Sequence, residues 1–181
     1  MHNLELLIDE VRDIIDKLEG NPAVLEIHRQ KMQLCSCLDV IKDTERCLDT
    51  CLTTNIDELD FGNKYMYVYG TLQALYVQQD AVEHFTCVLG KDYPRHPRLR
   101  EIRDLRNHSV GHPTDEGPGR TFNLITRDSI GNQGFELGIT YADGRPNRPK
   151  CVNVRDLIEK QRNIFAPVLL DVINTIGEEE I

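Results

Sequence analysis

Apolar residues at Leu4, Leu7, Ile8, Val11, Ile15 and Leu18 recur every three to four positions with Asp and Glu between them. That spacing places them on one stripe of a helix, and predicts an amphipathic helix over residues 3–19 closed by Gly20. Asn21-Pro22 then offers a cap followed by proline at the first helical position. Leu25, His28, Met32, Cys35, Leu38, Ile41, Leu48 and Leu52 carry a second helix to about Thr53, long enough to imply a bend or break inside it. After the polar stretch Asn55 to Asp60, a third long helix is marked by Phe61, Tyr65, Val68, Leu72, Leu75, Tyr76, Val82, Phe85 and Leu89 and stops at Gly90. Its tyrosines (65, 67, 69, 76) are read as core or helix–helix contacts, because they recur at helical spacing.

Two prolines make Lys91 to Pro97 a loop, and a short fourth helix begins near Arg98. At 100° per residue, Leu99, Ile102 and Leu105 share one side, Arg100, Asp104 and Asn107 point away, and Arg106 falls between Leu99 and Ile102. Gly111 is expected to take the left-handed conformation that ends a helix, with Pro113 preventing continuation, which puts His112 at the helix exit. Asp115 to Arg120 reads as an open loop. Alternation in Thr121–Arg127 and Phe135–Tyr141, separated by a Gly-rich turn, predicts a β-hairpin, with a short third strand at Cys151 to Asn153. Asn153 caps a last helix whose inward face runs Val154, Leu157, Ile158, Gln161, Phe165, Val168, Leu169, Val172 and Ile176, and which Pro167 should kink. The expected architecture is mainly α: one domain over residues 1–181, a bundle of four to five helices with a small β-hairpin insertion at about 120–152 before the last helix.

Charge changes this picture at one place. The 181-residue chain has a net charge of -9, which repels a nucleic-acid backbone except at a local basic patch. Lys91 to Pro113 holds six basic and three acidic residues, whereas the rest holds 15 and 27. Basic charge is therefore gathered in Lys91 to Pro113, the fourth helix and its flanks. No stretch approaches about 18 consecutive apolar residues, so no membrane span is expected. The start of the chain lacks a basic end and an apolar run, and no secretory leader is expected. Six cysteines in such a chain read as reduced thiols of a cytoplasmic protein. Cys35-Ser-Cys37 and the Cys47/Cys51 pair do not match paired zinc knuckles, so they are taken as buried thiols and no metal or other cofactor is expected.

Arg106-Asn107-His108-Ser109-Val110-Gly111-His112 is an arginine, a polar residue, and a histidine six positions on. This resembles the arginine-to-histidine motif of the HEPN superfamily (higher eukaryotes and prokaryotes nucleotide-binding domains), with five intervening residues. The resemblance covers the helical two-thirds of the chain. Arg103 and His108, with four intervening residues, satisfy the same pattern and are alternative or auxiliary participants, as is Arg100. The resemblance implies an up-and-down helical bundle and a homodimer whose paired motifs face each other. It also implies a metal-independent endoribonuclease of the toxin or antiviral-defence kind, acting on RNA and, for a toxin, restrained by a cognate antitoxin protein. Pro113-Thr114 after His112 lacks the tyrosine of members that pair with a nucleotidyltransferase antitoxin, which disfavours that subgroup. A non-catalytic HEPN-like nucleotide-binding or protein-interaction module is the alternative.

The residue types suit the chemistry. Metal-free RNA cleavage needs a base for the 2′-hydroxyl proton, an acid for the leaving 5′-oxygen and a cation for the phosphorane; histidine and arginine supply all three near neutral pH. Arg106 and His112 from two chains would surround one phosphate, with Asn107 holding the geometry and Arg103 and Arg100 on flanking phosphates. A guanidinium on an apolar face requires an anion, so Arg106 meets either a phosphate or an internal carboxylate such as Asp9 or Asp16.

Overall fold

The computed structural model describes residues 3–17, 25–93, 96–111 and 121–178. Among these, five helices and one small antiparallel sheet follow the order set by the hydrophobic pattern. Helix α1 spans Leu4–Lys17, α2 Leu25–Thr53, α3 Phe61–Val88, α4 Pro97–Arg106 and α5 Val154–Glu178; strands β1 (Thr121–Ile125), β2 (Phe135–Tyr141) and β3 (Lys150–Val152) precede α5. The chain is mainly helical, and none of the described helices is long and apolar enough to cross a membrane.

Local chemistry accounts for the boundaries. Asp60 caps α3, its carboxylate accepting from the Asn63 backbone N–H at 2.9 Å and from the Asn63 amide at 2.8 Å. At the other end Gly90 takes φ +65°, which lets the Lys91 N–H reach the Thr86 carbonyl at 2.9 Å. His96 caps α4 through Nδ1, which accepts from the Arg98 N–H at 3.2 Å, with Pro97 at the first position. Asn153 does the same for α5, accepting from the Asp156 N–H.

Two expectations are corrected. Helix α2 runs from Leu25 to Thr53 without the break that its length allowed. Helix α5 includes Pro167, where a kink was expected, inside its span. The cysteines are not uniformly buried: Cys37 is, Cys35 and Cys51 are half-covered, and Cys47 is exposed. Cys51 tucks under α3, where the Thr71 hydroxyl donates to its Sγ at 2.9 Å; burial raises its thiol pKa to about 11. The stop at Gly20 and the Asn21-Pro22 cap fall outside the described residues.

The sheet is a meander, with Ile125 opposite Leu137 and Phe135 opposite Val152. These four side chains face the helices, while Phe122 and Leu124 point outward. The hairpin is clamped at its tip. Asn132 Oδ1 accepts from the Ile56 N–H at 2.8 Å, and its amide donates to Asn55 and Asp57, which ties the insertion to the α2–α3 connection.

The core has two apolar clusters. One gathers α1 with Leu38 and Ile41 of α2, Val82 and Phe85 of α3, Leu99 of α4, and Phe165 and Leu169 of α5. The other joins Leu48, Leu72, Leu75, Ile102, Leu105 and Ile158 to the inner face of the sheet. Between them, at one level on each of four helices, lies a polar layer. Arg103 Nε donates to Gln79 Oε1 at 2.8 Å, Gln79 Nε2 to Gln161 Oε1 at 2.7 Å, Gln161 Nε2 to Gln78 Oε1 at 2.8 Å, and Gln78 Nε2 to Glu45 Oε2 at 3.1 Å. Arg162 closes the far end on Glu45 at 2.8 Å and on Asp49 at 2.5 Å. The three glutamines are fully buried and Glu45 is 2% exposed.

Gln161 also donates to the Leu75 carbonyl at 3.0 Å. Replacing it with leucine strands Gln79 Nε2 and Gln78 Oε1 in the interior, and removes the second donor of a carbonyl already bonded within α3. The expected loss is about 3 kcal/mol or more, read as a lower urea midpoint; a loss below about 1 kcal/mol would contradict the layer's role.

Burial raises the Glu45 carboxyl pKa, against the opposing pull of Arg162 and Gln78. A carboxyl that holds its proton more tightly folded than unfolded loses stability as pH rises from its unfolded value through its raised folded value, and the penalty is constant above that. The stability difference between wild type and Glu45→Gln should therefore shift against wild type across that window and level off above it. Urea titrations from about pH 4 to 8 test this, and a flat difference throughout would refute it.

Candidate active site

Helix α4 presents two arginines three residues apart to α3, and their surroundings differ. Arg103 is neutralised: Nη2 pairs with Asp80 and lies 3.6 Å from Glu83 Oε2, while Nε is held by Gln79. Arg106 meets no carboxylate among the described residues. Its Nε and Nη2 both donate to Gln73 Oε1, at 3.1 and 2.9 Å, and Nη1 donates to Asn107 Oδ1 at 3.0 Å. Asp9 and Asp16, the internal partners considered for it, pair instead with Lys42 and Lys31.

Both guanidiniums lie over the Tyr76 ring, Arg103 at 4.7 Å and Arg106 at 4.5 Å from its centroid. Each such contact contributes about 0.5–2 kcal/mol depending on desolvation. Asp80 and Glu83 offset Arg103, and no carboxylate among the described residues offsets the positive charge of Arg106. A guanidinium has five N–H donors. Gln73 takes the Nε/Nη2 side and Asn107 takes one N–H of Nη1, so one N–H on each of Nη1 and Nη2 has no acceptor among the described residues. Two N–H groups at the tip of a planar fork match two oxygens of a phosphate or carboxylate.

Beyond Arg106 the helix widens into a single π turn, Asn107–Gly111. Turns of this kind are rare and often lie at functional sites. Asn107, expected to point away, is half-buried and folds back on Arg106. Gly111 is corrected too: it does not adopt the left-handed conformation. Its requirement is close approach, since a Cβ there would lie 2.8 Å from Arg106 Nη1 and 3.4 Å from Asn107 Oδ1. Strand β1 runs beside this turn.

Of the residues singled out by sequence, Arg106 and Asn107 are brought together. Arg103 lies beside them, His108 is half-buried within the π turn, and Arg100 is an exposed side chain 4.0 Å from Asp104. His112, Pro113 and the loop after them fall outside the described residues. Sequence reasoning missed Gln73, which orients the guanidinium, and read Tyr76 only as packing. The available signal was three glutamines (73, 78, 79) within an otherwise apolar stretch of α3. Among the described residues no group of three or more His, Cys, Asp or Glu is placed to hold a metal. Comparison with protein-family models, curated proteins and solved structures gave no match to this chain.

Gly111→Ala isolates the role of this contact. The nearest atoms the new methyl meets among the described residues are the flexible tip of Arg106 and an amide oxygen, so thermal stability should change by less than about 1 kcal/mol, while Arg106 is displaced. Circular dichroism melts and a crystal structure of the variant check both parts. A large loss of stability, or an unmoved Arg106–Asn107 hydrogen bond, would contradict the reading.

Proposed function

We propose that the chain is a metal-independent endoribonuclease of the HEPN type, acting in the cytoplasm as a homodimer, with Arg106, Asn107 and His112 as its reacting cluster. The observation that carries this reading is the Arg106 guanidinium, fixed by two neutral amides and, among the described residues, left without a carboxylate and with donors at its tip. Such a cation is arranged to meet an anion from outside the fold. Asn107 holds Arg106 directly, which is the positioning role the motif assigns to it.

In the proposed reaction one His112 takes the 2′-hydroxyl proton. The 2′-oxygen attacks phosphorus, Arg106 stabilises the charge on the crowded phosphorane, and the partner chain's equivalent histidine protonates the departing 5′-oxygen. The products are a 2′,3′-cyclic phosphate and a 5′-hydroxyl, and no metal takes part. Arg100, with its exposed side chain, is the auxiliary best placed for a flanking phosphate; Arg103, neutralised by Asp80 and Glu83, supports the site from behind. A toxin or antiviral-defence role, with a cognate antitoxin in the first case, follows from the same reading. The net charge of -9 favours a second reading, a module that binds a nucleotide or protein without cleavage.

Purified protein should cut single-stranded RNA in EDTA and leave cyclic phosphate ends. Arg106→Ala and His112→Ala should each lower the rate by roughly 100-fold or more, with folding verified by circular dichroism. Equal cleavage by wild type and both variants would remove the proposal, and nucleotide binding without cleavage would establish the second reading.

A further inference from the structure

On the N-terminal side of Arg103 the surface opens into a groove of about 460 Å³, lined among others by Glu83, Tyr93, His96, Leu99, Arg100 and Arg103. That volume lies in the range of small-ligand sites. Its floor is apolar, with Leu99 2% exposed. Its polar groups are held from behind: Gln79 and Asp80 fix Arg103, and Gln79 is itself the end of the buried amide line. The Tyr93 hydroxyl is buried and, among the described residues, makes no full hydrogen bond, with the Arg103 guanidinium the donor group close to it. Burial raises its pKa to about 12, with the nearby Arg103 charge acting in the opposite direction. A buried hydroxyl on the wall of a groove, loosely met by a neighbouring guanidinium, leaves lone-pair and proton capacity that a ligand atom can use.

We infer that this groove binds a guanine base, free or within RNA. Glu83 offers a carboxylate that is only loosely engaged, 3.6 Å from Arg103 and half exposed. A carboxylate accepts two donors side by side, and guanine is the base whose pairing edge presents two adjacent N–H donors, N1–H and the N2 amino group. Adenine and cytosine would turn a ring nitrogen lone pair toward the same oxygens, and uracil offers one N–H between two carbonyls. Guanine O6 then requires a donor. Arg103 stands beside Glu83, and His96 supplies a second: with Nδ1 accepting from Arg98, the neutral ring carries its proton on Nε2. The exposed Arg100 guanidinium is available to the attached phosphate.

The inference rests on the proposed action on RNA only for the macromolecular source of the base. Calorimetry with guanosine, adenosine, cytidine and uridine 5′-monophosphates tests the groove without any cleavage. Guanosine monophosphate should bind roughly tenfold or more tightly than the others, and Glu83→Gln, a change at a half-exposed side chain, should abolish the preference while leaving the circular dichroism spectrum unchanged. Equal or absent binding of all four, or a preference that survives Glu83→Gln, overturns the inference. Cleavage of guanine-containing and guanine-free single-stranded RNA separates the two readings. A guanine preference without cleavage removes the ribonuclease alone, and cleavage without a preference in the binding assay removes the guanine site alone.

Discussion

A single line of hydrogen bonds, running from Arg103 through Gln79, Gln161 and Gln78 to Glu45, constrains how α2, α3, α4 and α5 can be assembled. Its direction is not free. Arginine only donates and an ionised carboxylate only accepts, so each intervening amide must receive on the Arg103 side and donate on the Glu45 side. Reversing one glutamine would set donor against donor in a buried layer. Bonds aligned this way polarise one another, which strengthens the line as a whole and makes any gap in it costly. The apolar clusters above and below tolerate substitution of similar volume. The amide layer does not, and it brings one level of four helices into register.

The site is a by-product of where that line ends. Arg103 is drawn into the structural layer and neutralised by Asp80 and Glu83, one and two turns along the same side of α3. Arg106, three residues further, overshoots those carboxylates and reaches Gln73 instead. Two side chains of the same type on one short helix thus acquire opposite roles through the residue each meets on α3. Tyr76 separates them and presents its ring to both.

Much of the fold was legible because helices and strands bury residues at fixed periods. The stripes of α1 and α5, that of α3 apart from the exposed Phe61, the buried Leu99, Ile102 and Leu105, and the alternation of the hairpin all follow from that rule. It even placed Gln161 on the inward face of α5. What periodicity cannot convey is partnership. Gln78, Gln79 and Glu45 count as polar positions whether they face water or one another, so the buried layer was invisible until their helices were set side by side. The widened turn after Arg106 escaped notice for a related reason. Gly111 reads as a helix terminator, and only the folded chain reveals a guanidinium lying against it. Arg106 itself was found from its place between Leu99 and Ile102, whereas Gln73, 33 residues earlier, was marked only as one of three glutamines in an apolar stretch, with nothing to name its partner.

The uncharged tether on Arg106 gives the site an unusual sensitivity. Glutamine and glutamate have the same shape and differ by one atom, an amide nitrogen in place of an oxygen. Were that nitrogen exchanged at position 73 by mutation or by slow hydrolysis of the amide, Arg106 would gain a carboxylate without moving, and its pull on any outside anion would fall. Among the described residues, the absence of a carboxylate against Arg106 thus turns on the identity of a single atom on the neighbouring helix.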